Sequence, residues 1–452
     1  MKAKRKTIFE CEACGYQTPK WMGKCGGCDA WNSLVEHASS LQNSKHERLV
    51  ANDNAAPVLL DEISLEKTPR YPTHIEELDR VLGGGAVPGS LILLGGDPGI
   101  GKSTLIIQTL NNLALNNHSC FYVTGEESKE QIKMRAERLQ IKANFPIYAE
   151  NALDQILLQA EKAKPELMVV DSIQTVFIPN MDSAPGSISQ IRECTLKLLQ
   201  FAKTTQTTII LIGHVTKEGA LAGPRVLEHM VDCVLSFEGE KSGQFRLLRT
   251  IKNRFGSTNE IGVFEMTGAG LEEVSNPSAH FLKERQTSSI GSCVTASLEG
   301  TRPILTEIQS LVSSSMLNNP RRTAIGLDHN RVALLVAVLE KVAGLNLYAQ
   351  DIYVNAVGGL KLHEPSSDLA ILLSMVSSFK NQALAGHLMA VGEIGLNGEV
   401  RSIPFVDKRI FEAKKLGYTQ IIVPGSAKLP DLPKDIEVLK IKSIQEALDL
   451  CF

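Results

Sequence analysis

No apolar run in this sequence approaches the length needed to cross a bilayer. The longest, such as residues 332–339, fall far short of the roughly 20 residues of a spanning helix, so no membrane partner is expected. Strong charge of either sign is also missing: 47 Lys and Arg stand against 50 Asp and Glu, a formal net charge of −3. That balance gives no global attraction to nucleic acid, and any such binding has to come from local patches. The basic start, MKAKRKTIFE, runs directly into cysteines without an apolar h-region, so a secretory leader is not expected. Internal repeats and low-complexity tracts are absent. The nine cysteines are an odd number: four are clustered early, and Cys120, Cys194, Cys233, Cys293 and Cys451 are scattered through apolar segments. This fits buried thiols in a reducing, cytoplasmic compartment and not a disulfide scaffold.

What is present is enough for two or three globular domains: 452 residues, 43% hydrophobic and 21% charged. Residues 1–35 form a small cysteine-bearing module, and the polar stretch 36–60 reads as a linker. From 61 to 275 short apolar runs at 91–95, 119–124, 167–171, 207–213 and 231–237 alternate with helical patterns at 103–115, 128–140, 152–163 and 187–203. Such alternation predicts an α/β fold, a parallel sheet with helices on both faces. A turn-rich stretch at 268–278 marks a boundary, and 285–452 reads as a second α/β unit of ordinary domain size.

Cys11-x-x-Cys14 and Cys25-x-x-Cys28 are matched pairs, able to place four thiolates tetrahedrally around one Zn²⁺. A module this small cannot build a sufficient core, so the metal would supply much of its folding energy, and with four protein ligands the site would be structural. Trp21, Met22 and Trp31 beside the second pair read as packing for this module in preference to a base-stacking platform.

The stretch 91–104, LILLGGDPGIGKST, carries the chemistry. A buried strand leads into G-x-x-x-x-G-K-S, and a helical pattern follows. Gly96, Asp97, Pro98, Gly99, Ile100, Gly101, Lys102, Ser103 and Thr104 would wrap a nucleotide's phosphates with backbone N–H groups and a helix N-terminus. Lys102 would reach the β- and γ-phosphates, and Ser103 would ligate Mg²⁺. Asp171 ends the apolar run 167–171 and is the second Mg²⁺ candidate. Glu126 and Glu127 follow another strand end; either could orient the attacking water, with Glu126 favoured. Loops 178–187 and 214–225 should emerge on the ligand side of the sheet. His214, at a strand tip, reads equally as a γ-phosphate contact and as an ordinary loop histidine. Lys252, Asn253, Arg254, Phe255 and Gly256 follow an amphipathic strand. From spacing alone they suit a phosphate-binding segment, for DNA or a neighbour's ATP, as well as they suit a solvated turn.

GDPGIGKST, GEES, VVDS and KNRFG, in this order behind a four-cysteine module, resemble the RadA/Sms family of bacterial RecA-like DNA-repair ATPases. The resemblance spans essentially the whole chain. It implies a RecA-like P-loop core binding ATP or ADP with Mg²⁺, a zinc finger, and a homo-hexameric ring. It further implies a hydrolase that moves on single-stranded DNA and drives branch migration of recombination intermediates, with branched DNA and a RecA-type recombinase as partners. Carried over, Lys102, Ser103 and Asp171 would bind Mg-ATP, Glu126 would activate water, and Lys252 and Arg254 would act at a subunit boundary or on DNA. The two loops would be the DNA-binding loops of the ring.

The segments GGLKLHEPSSDLAILLS (358–374) and GEIGLNGEVRSI (392–403) resemble the proteolytic domain of Lon, which uses a Ser–Lys dyad. Ser366 falls where that family has its nucleophile. The lysine position falls on Asp407, with Lys408 one residue off, and a one-residue slip turns a helical side chain by about 100°. Asp368 replaces a small residue. The domain therefore reads as a non-proteolytic scaffold, with Arg302, Lys341, Lys361, Arg401, Lys408 and Arg409 as available cations. Two competing readings are a RecA-like regulatory ATPase without a DNA role and, against the Asp407 register, an ATP-dependent serine protease.

Overall fold

The computed structural model describes residues 6–11, 17–18, 20–27, 31–39, 69–214, 226–239, 245–287, 289–316, 319–359, 361–362, 364–429 and 435–452. Cys14, Cys28, most of the 36–60 linker and residues 215–225 of the second loop lie outside them. The described chain forms two compact units. One runs to Glu238 and takes back Leu248–Thr258 and Thr267–Leu271; the other comprises Gly239–Leu247, Asn259–Met266 and Glu272–Phe452.

The first unit opens with a small antiparallel ribbon, β1 (Lys6–Cys11), β2 (Gln17–Thr18) and β3 (Leu34–Ser39), in the order β2-β1-β3. After helix α1 (Glu76–Leu82) come β4 (Leu91–Gly96), α2 (Lys102–Leu115), β5 (Cys120–Thr124), α3 (Lys129–Arg138), β6 (Ile147–Ala149), α4 (Leu153–Ala163), β7 (Leu167–Asp171), α5 (Ile188–Thr205), β8 (Thr208–His214), α6 (Val226–Met230), β9 (Cys233–Glu238) and β10 (Phe245–Asn253). Strands β9-β4-β8-β7-β5-β6 lie side by side in that order, all parallel. Every residue of β4, β5 and β7 is buried, which is why these strands read as unbroken apolar runs and not as alternating ones. Helix starts follow local chemistry. Ser128 and Gln131 form a reciprocal capping box on α3, and Ser187 caps α5. The predicted elements are all present. The three-residue edge strand β6 and helix α1 were not foreseen.

On the other side of β9 the first sheet runs on through β10, β11 (Ile261–Thr267) and β12 (Gly270–Glu273), nine strands in all. The second unit includes α7 (Pro277–Phe281). Its seven-stranded sheet, in the order β15-β16-β14-β13-β17-β20-β21, uses β13 (Ser292–Glu299), β14 (Arg302–Ser314), β15 (Arg322–Ile325), β16 (Gln350–Ala356), β17 (Leu388–Ala390), β20 (Gln420–Pro424) and β21 (Glu437–Ile441). The pair β18 (Glu393–Ile394) and β19 (Val400–Arg401) stands apart from that sheet. Helices α8 (His329–Lys341), α9 (Asp368–Lys380) and α11 (Ile444–Cys451) cover one face, and α10 (Val406–Lys415) the other. The pleat decides the sides: Cys293 joins one core and Val294 the other. Helix α9 is buried from Asp368 through Ser377, as its all-round apolar pattern demands. Among the described residues no helix is long and apolar enough to cross a membrane.

Candidate active site

Strand β4 delivers the loop at the carboxyl edge of the first sheet. Gly96 has φ 154°, and a Cβ there would meet the Phe237 carbonyl oxygen at 2.6 Å, so only glycine lets the chain leave the sheet at this point. Gly101, the N-cap of α2, has φ 117°. Between them Asp97, Pro98 and Gly99 are exposed, while Ile100 is buried and pins the loop. The Lys102 ammonium lies inside the curl and donates to the carbonyls of Gly96 at 2.6 Å and Asp97 at 2.9 Å. Burial pulls its pKa below the ordinary lysine value, opposed by the charges of Asp171, Glu126 and Asp97.

Asp171, at the end of β7, is buried and faces α2. Ser103 Oγ donates to Asp171 Oδ2 at 2.7 Å, and the Tyr122 phenol donates to the same oxygen at 2.6 Å. Burial, with Asp171 beside it, lifts the Tyr122 pKa well above the ordinary tyrosine value, so the phenol remains a donor. A serine hydroxyl and a carboxylate within hydrogen-bond distance, beside a phosphate-binding loop, fit Mg²⁺, a hard cation that takes few protein oxygens and completes its shell with phosphate and water. Tyr122 was missed in the sequence. The available signal was a tyrosine inside the fully buried run CFYVT, since a buried phenol requires a partner.

The two glutamates separate. Ser172 Oγ donates to Glu126 Oε1, which ties Glu126 to the residue next to Asp171. Glu127 is paired instead with the Arg135 guanidinium of α3, and its backbone N–H and carbonyl both meet Thr124 Oγ1, at 3.1 and 2.9 Å. Neither Ser172 nor Arg135 was singled out from sequence. Backbone register sets Gly96 opposite His214 on β8. The loop at 178–187 is braced by buried Gln190, whose amide bonds both the N–H and the carbonyl of Ile178 and the carbonyl of Ser183.

The KNRFG segment is built into the fold. Lys252 Nζ donates to the carbonyls of Glu228 at 2.7 Å and Val231 at 2.8 Å, closing the end of α6. Asn253 is buried and donates to Val81 and Leu82 at the end of α1, while its Oδ1 accepts from Phe255 N. Arg70 holds the Phe255 carbonyl at 2.6 Å. Of the segment's four side chains Arg254's is the exposed one, its guanidinium 3.4 Å from Asp232. Asp232, another residue the sequence reading missed, is itself buried and also binds Lys203 and the Leu91 N–H. Leu91 begins β4 and Gly96 ends it. Lys102, Ser103, Asp171 and Glu126 thus gather at one edge of the sheet and Arg254 at the opposite edge, a separation of about 17 Å along the strand.

In the second unit Ser366 is fully buried. Its hydroxyl donates to Glu364 at 2.9 Å and accepts from Arg409 at 3.1 Å. Arg409, also fully buried, bonds Glu364 and the Ala296 carbonyl as well. An arginine cannot give up its proton here and so cannot serve as the base. Lys408 lies over the Phe405 ring instead, and Asp368 is buried against Arg331 and the Ile394 N–H. A cleft of about 270 Å³ between Leu327, Arg331, Glu364 and Glu393 marks the place.

In the cysteine module Cys11 and Cys25 are both buried with Leu34, and the Gly27 N–H donates to Cys25 Sγ at 3.3 Å. A buried sulfur accepting a backbone N–H suits a metal-bound thiolate. The structure differs from the packing expectation: among the described residues the buried cluster is Cys11, Cys25 and Leu34 with Phe9 against it, and Trp21, Met22 and Trp31 are 55%, 37% and 73% exposed.

Three family models match separate stretches of the chain. A rubredoxin metal-binding domain model matches residues 9–36, a KaiC ATPase model 71–145, and a model of subunit ChlI of Mg-chelatase 320–427. Over full length the chain is 49% identical to the DNA repair protein RadA of Halalkalibacterium halodurans, covering 99% of each chain. It is 50% identical to that of Bacillus subtilis, covering 99% of this chain and 98% of the relative. It is 49% identical to that of Pseudomonas aeruginosa over the whole of both.

Proposed function

The chain belongs to the RadA family of DNA repair proteins, and from that membership we propose that it is a DNA-dependent ATP hydrolase of recombinational repair. Turnover drives movement on single-stranded DNA and branch migration of recombination intermediates, alongside a RecA-type recombinase in the cytoplasm. The observation that carries the hydrolase half is the joined set Lys102, Ser103, Asp171 and Glu126. Lys102 and the loop N–H groups hold the phosphates, and Ser103 and Asp171 hold Mg²⁺, which supplies charge neutralisation. Glu126, kept near Asp171 by Ser172, orients the attacking water. Cys11, Cys14, Cys25 and Cys28 bind Zn²⁺.

The placement of Arg254 supports a ring. Tied to Asp232 at the start of β4, it stands too far from its own loop to touch that loop's nucleotide. A neighbouring subunit's ATP, or DNA, is what it serves, and head-to-tail contacts that close into a hexamer supply the neighbour. The second unit is a scaffold, since the Ser366 hydroxyl is engaged by Arg409 and Glu364 and, among the described residues, no lysine bonds to it.

The test is ATPase activity with and without single-stranded DNA, on the wild type and on Arg254→Ala. Wild-type turnover rises with DNA. The variant binds nucleotide normally and loses about 10³-fold or more in stimulated turnover, the scale of an arginine supplied in trans. Equal turnover in the two proteins removes the role of Arg254. Absence of stimulation in the wild type favours the other reading that the KaiC match over 71–145 supports, a regulatory ATPase without a DNA role.

A further inference from the structure

The chain has two tryptophans, and both stand exposed on one turn of the cysteine module. Lys24 and Trp31 form an antiparallel bridge, and the Asn32 N–H donates to the Gly23 carbonyl at 2.9 Å, so the turn is closed by its own backbone. A Cβ built on Gly23 would lie 3.8 Å from Cη2 of Trp21 and 3.9 Å from Cζ3 of Trp31. The two indoles therefore converge on one bare stretch of backbone. Lys20 and Lys24, also exposed, belong to the same turn.

Large aromatic side chains normally contribute their area to a core. A module this small has little apolar surface to spare, yet it holds both indoles in water at 55% and 73% exposure. Fixed, exposed rings next to cations define the ligand they suit: flat rings that stack on indole faces, strung on an anionic backbone. Unpaired nucleotides have both properties, whereas duplex DNA keeps its base faces stacked inside. We propose that Trp21 and Trp31, flanked by Lys20 and Lys24, form a stacking platform for the bases of single-stranded DNA. The platform rests on the DNA-motor reading and adds to it a contact outside the ATPase sheet.

The chain tests this directly, because its indole emission comes from these two residues. The full-length protein is titrated with oligo(dT), following indole emission with plain oligonucleotide and anisotropy with a fluorescein-labelled one. The expected result is quenching that follows the anisotropy and weakens as salt is raised. Trp21→Ala and Trp31→Ala each weaken oligo(dT) binding roughly 5- to 100-fold, the range for one stacked base. ADP affinity and zinc content stay unchanged, and Trp→Phe variants recover part of the loss. The quenching is read on the unaltered protein, so it stands even where an alanine variant loses its zinc. Rising anisotropy with steady emission and wild-type binding by both alanine variants overturns the platform and leaves the motor reading intact. No change in either signal overturns both. Emission that responds to a RecA-type recombinase and not to oligo(dT) overturns the platform in favour of a protein-docking surface.

Discussion

The Tyr122 phenol is fully buried in the middle of a parallel sheet and donates to Asp171 Oδ2 at 2.6 Å. Ser103 donates to the same oxygen at 2.7 Å. The two donors are not equivalent. Ser103 and Asp171 would hold Mg²⁺, and Tyr122 would then remain as the donor that fixes the carboxylate. Partners of this outer kind typically account for about 10–100-fold in metal affinity. Tyr122→Phe keeps the ring and the packing and deletes only the hydroxyl. The Mg²⁺ concentration that supports tight binding of a fluorescent ADP should therefore rise by about 10–100-fold, in a binding assay that needs no turnover. Unchanged Mg²⁺ dependence would show that Tyr122 only fills space. The same logic separates the neighbouring acids: Glu126 is tied to Ser172, next to Asp171, and Glu127 to Arg135 of α3, so two adjacent glutamates are held by different elements.

At the scale of elements, KNRFG shows why a motif can be legible and its work hidden. Its residue types suggest anion binding, but Lys252 closes α6 and Asn253 closes α1, and such capping depends on elements more than twenty residues away in sequence. Asn253→Ala takes one donor from each of the Val81 and Leu82 carbonyls, which keep Thr250 and Arg70, and should destabilise the first unit by about 0.5–1.5 kcal/mol. A lowered urea midpoint with unchanged slope is the expected reading, and a midpoint equal to wild type would refute the capping role. Where the signal is local, sequence sufficed: β4, β5 and β7 were visible as apolar runs, and the loop at 96–104 as a glycine spacing. Strand β6 was not, being a three-residue edge strand with no fully buried residue. The exposure of Trp21 and Trp31 was not legible either, because composition cannot tell an aromatic that fills a core from one held outside a core already filled by cysteines. The Ser366 site was half visible: the missing lysine followed from register, while the buried Arg409 that takes up the hydroxyl is brought there by α10.

For the molecule as a whole, stability has separate sources. The ATPase sheet has a core of Leu91, Val123, Val170, Leu211 and their neighbours, and the second unit buries apolar side chains on both faces of its sheet. Among the described residues of the cysteine module, Cys11, Cys25 and Leu34 are buried together, with Phe9 against them. Chains below about 40 residues seldom fold on such a core without a metal or a cross-link, and a structural Zn²⁺ supplies folding free energy directly. Cys25→Ser should therefore lose zinc, measured as moles of metal per chain, and make residues 1–39 sensitive to brief proteolysis. ADP binding at Lys102 and Ser103 should persist, since those side chains are held by Gly96, Asp97 and Asp171. A variant that keeps its zinc would remove Cys25 from the ligand set. Loss of ADP binding together with the metal would mean that the ATPase core depends on the module for its folding, against the separate core seen around β4.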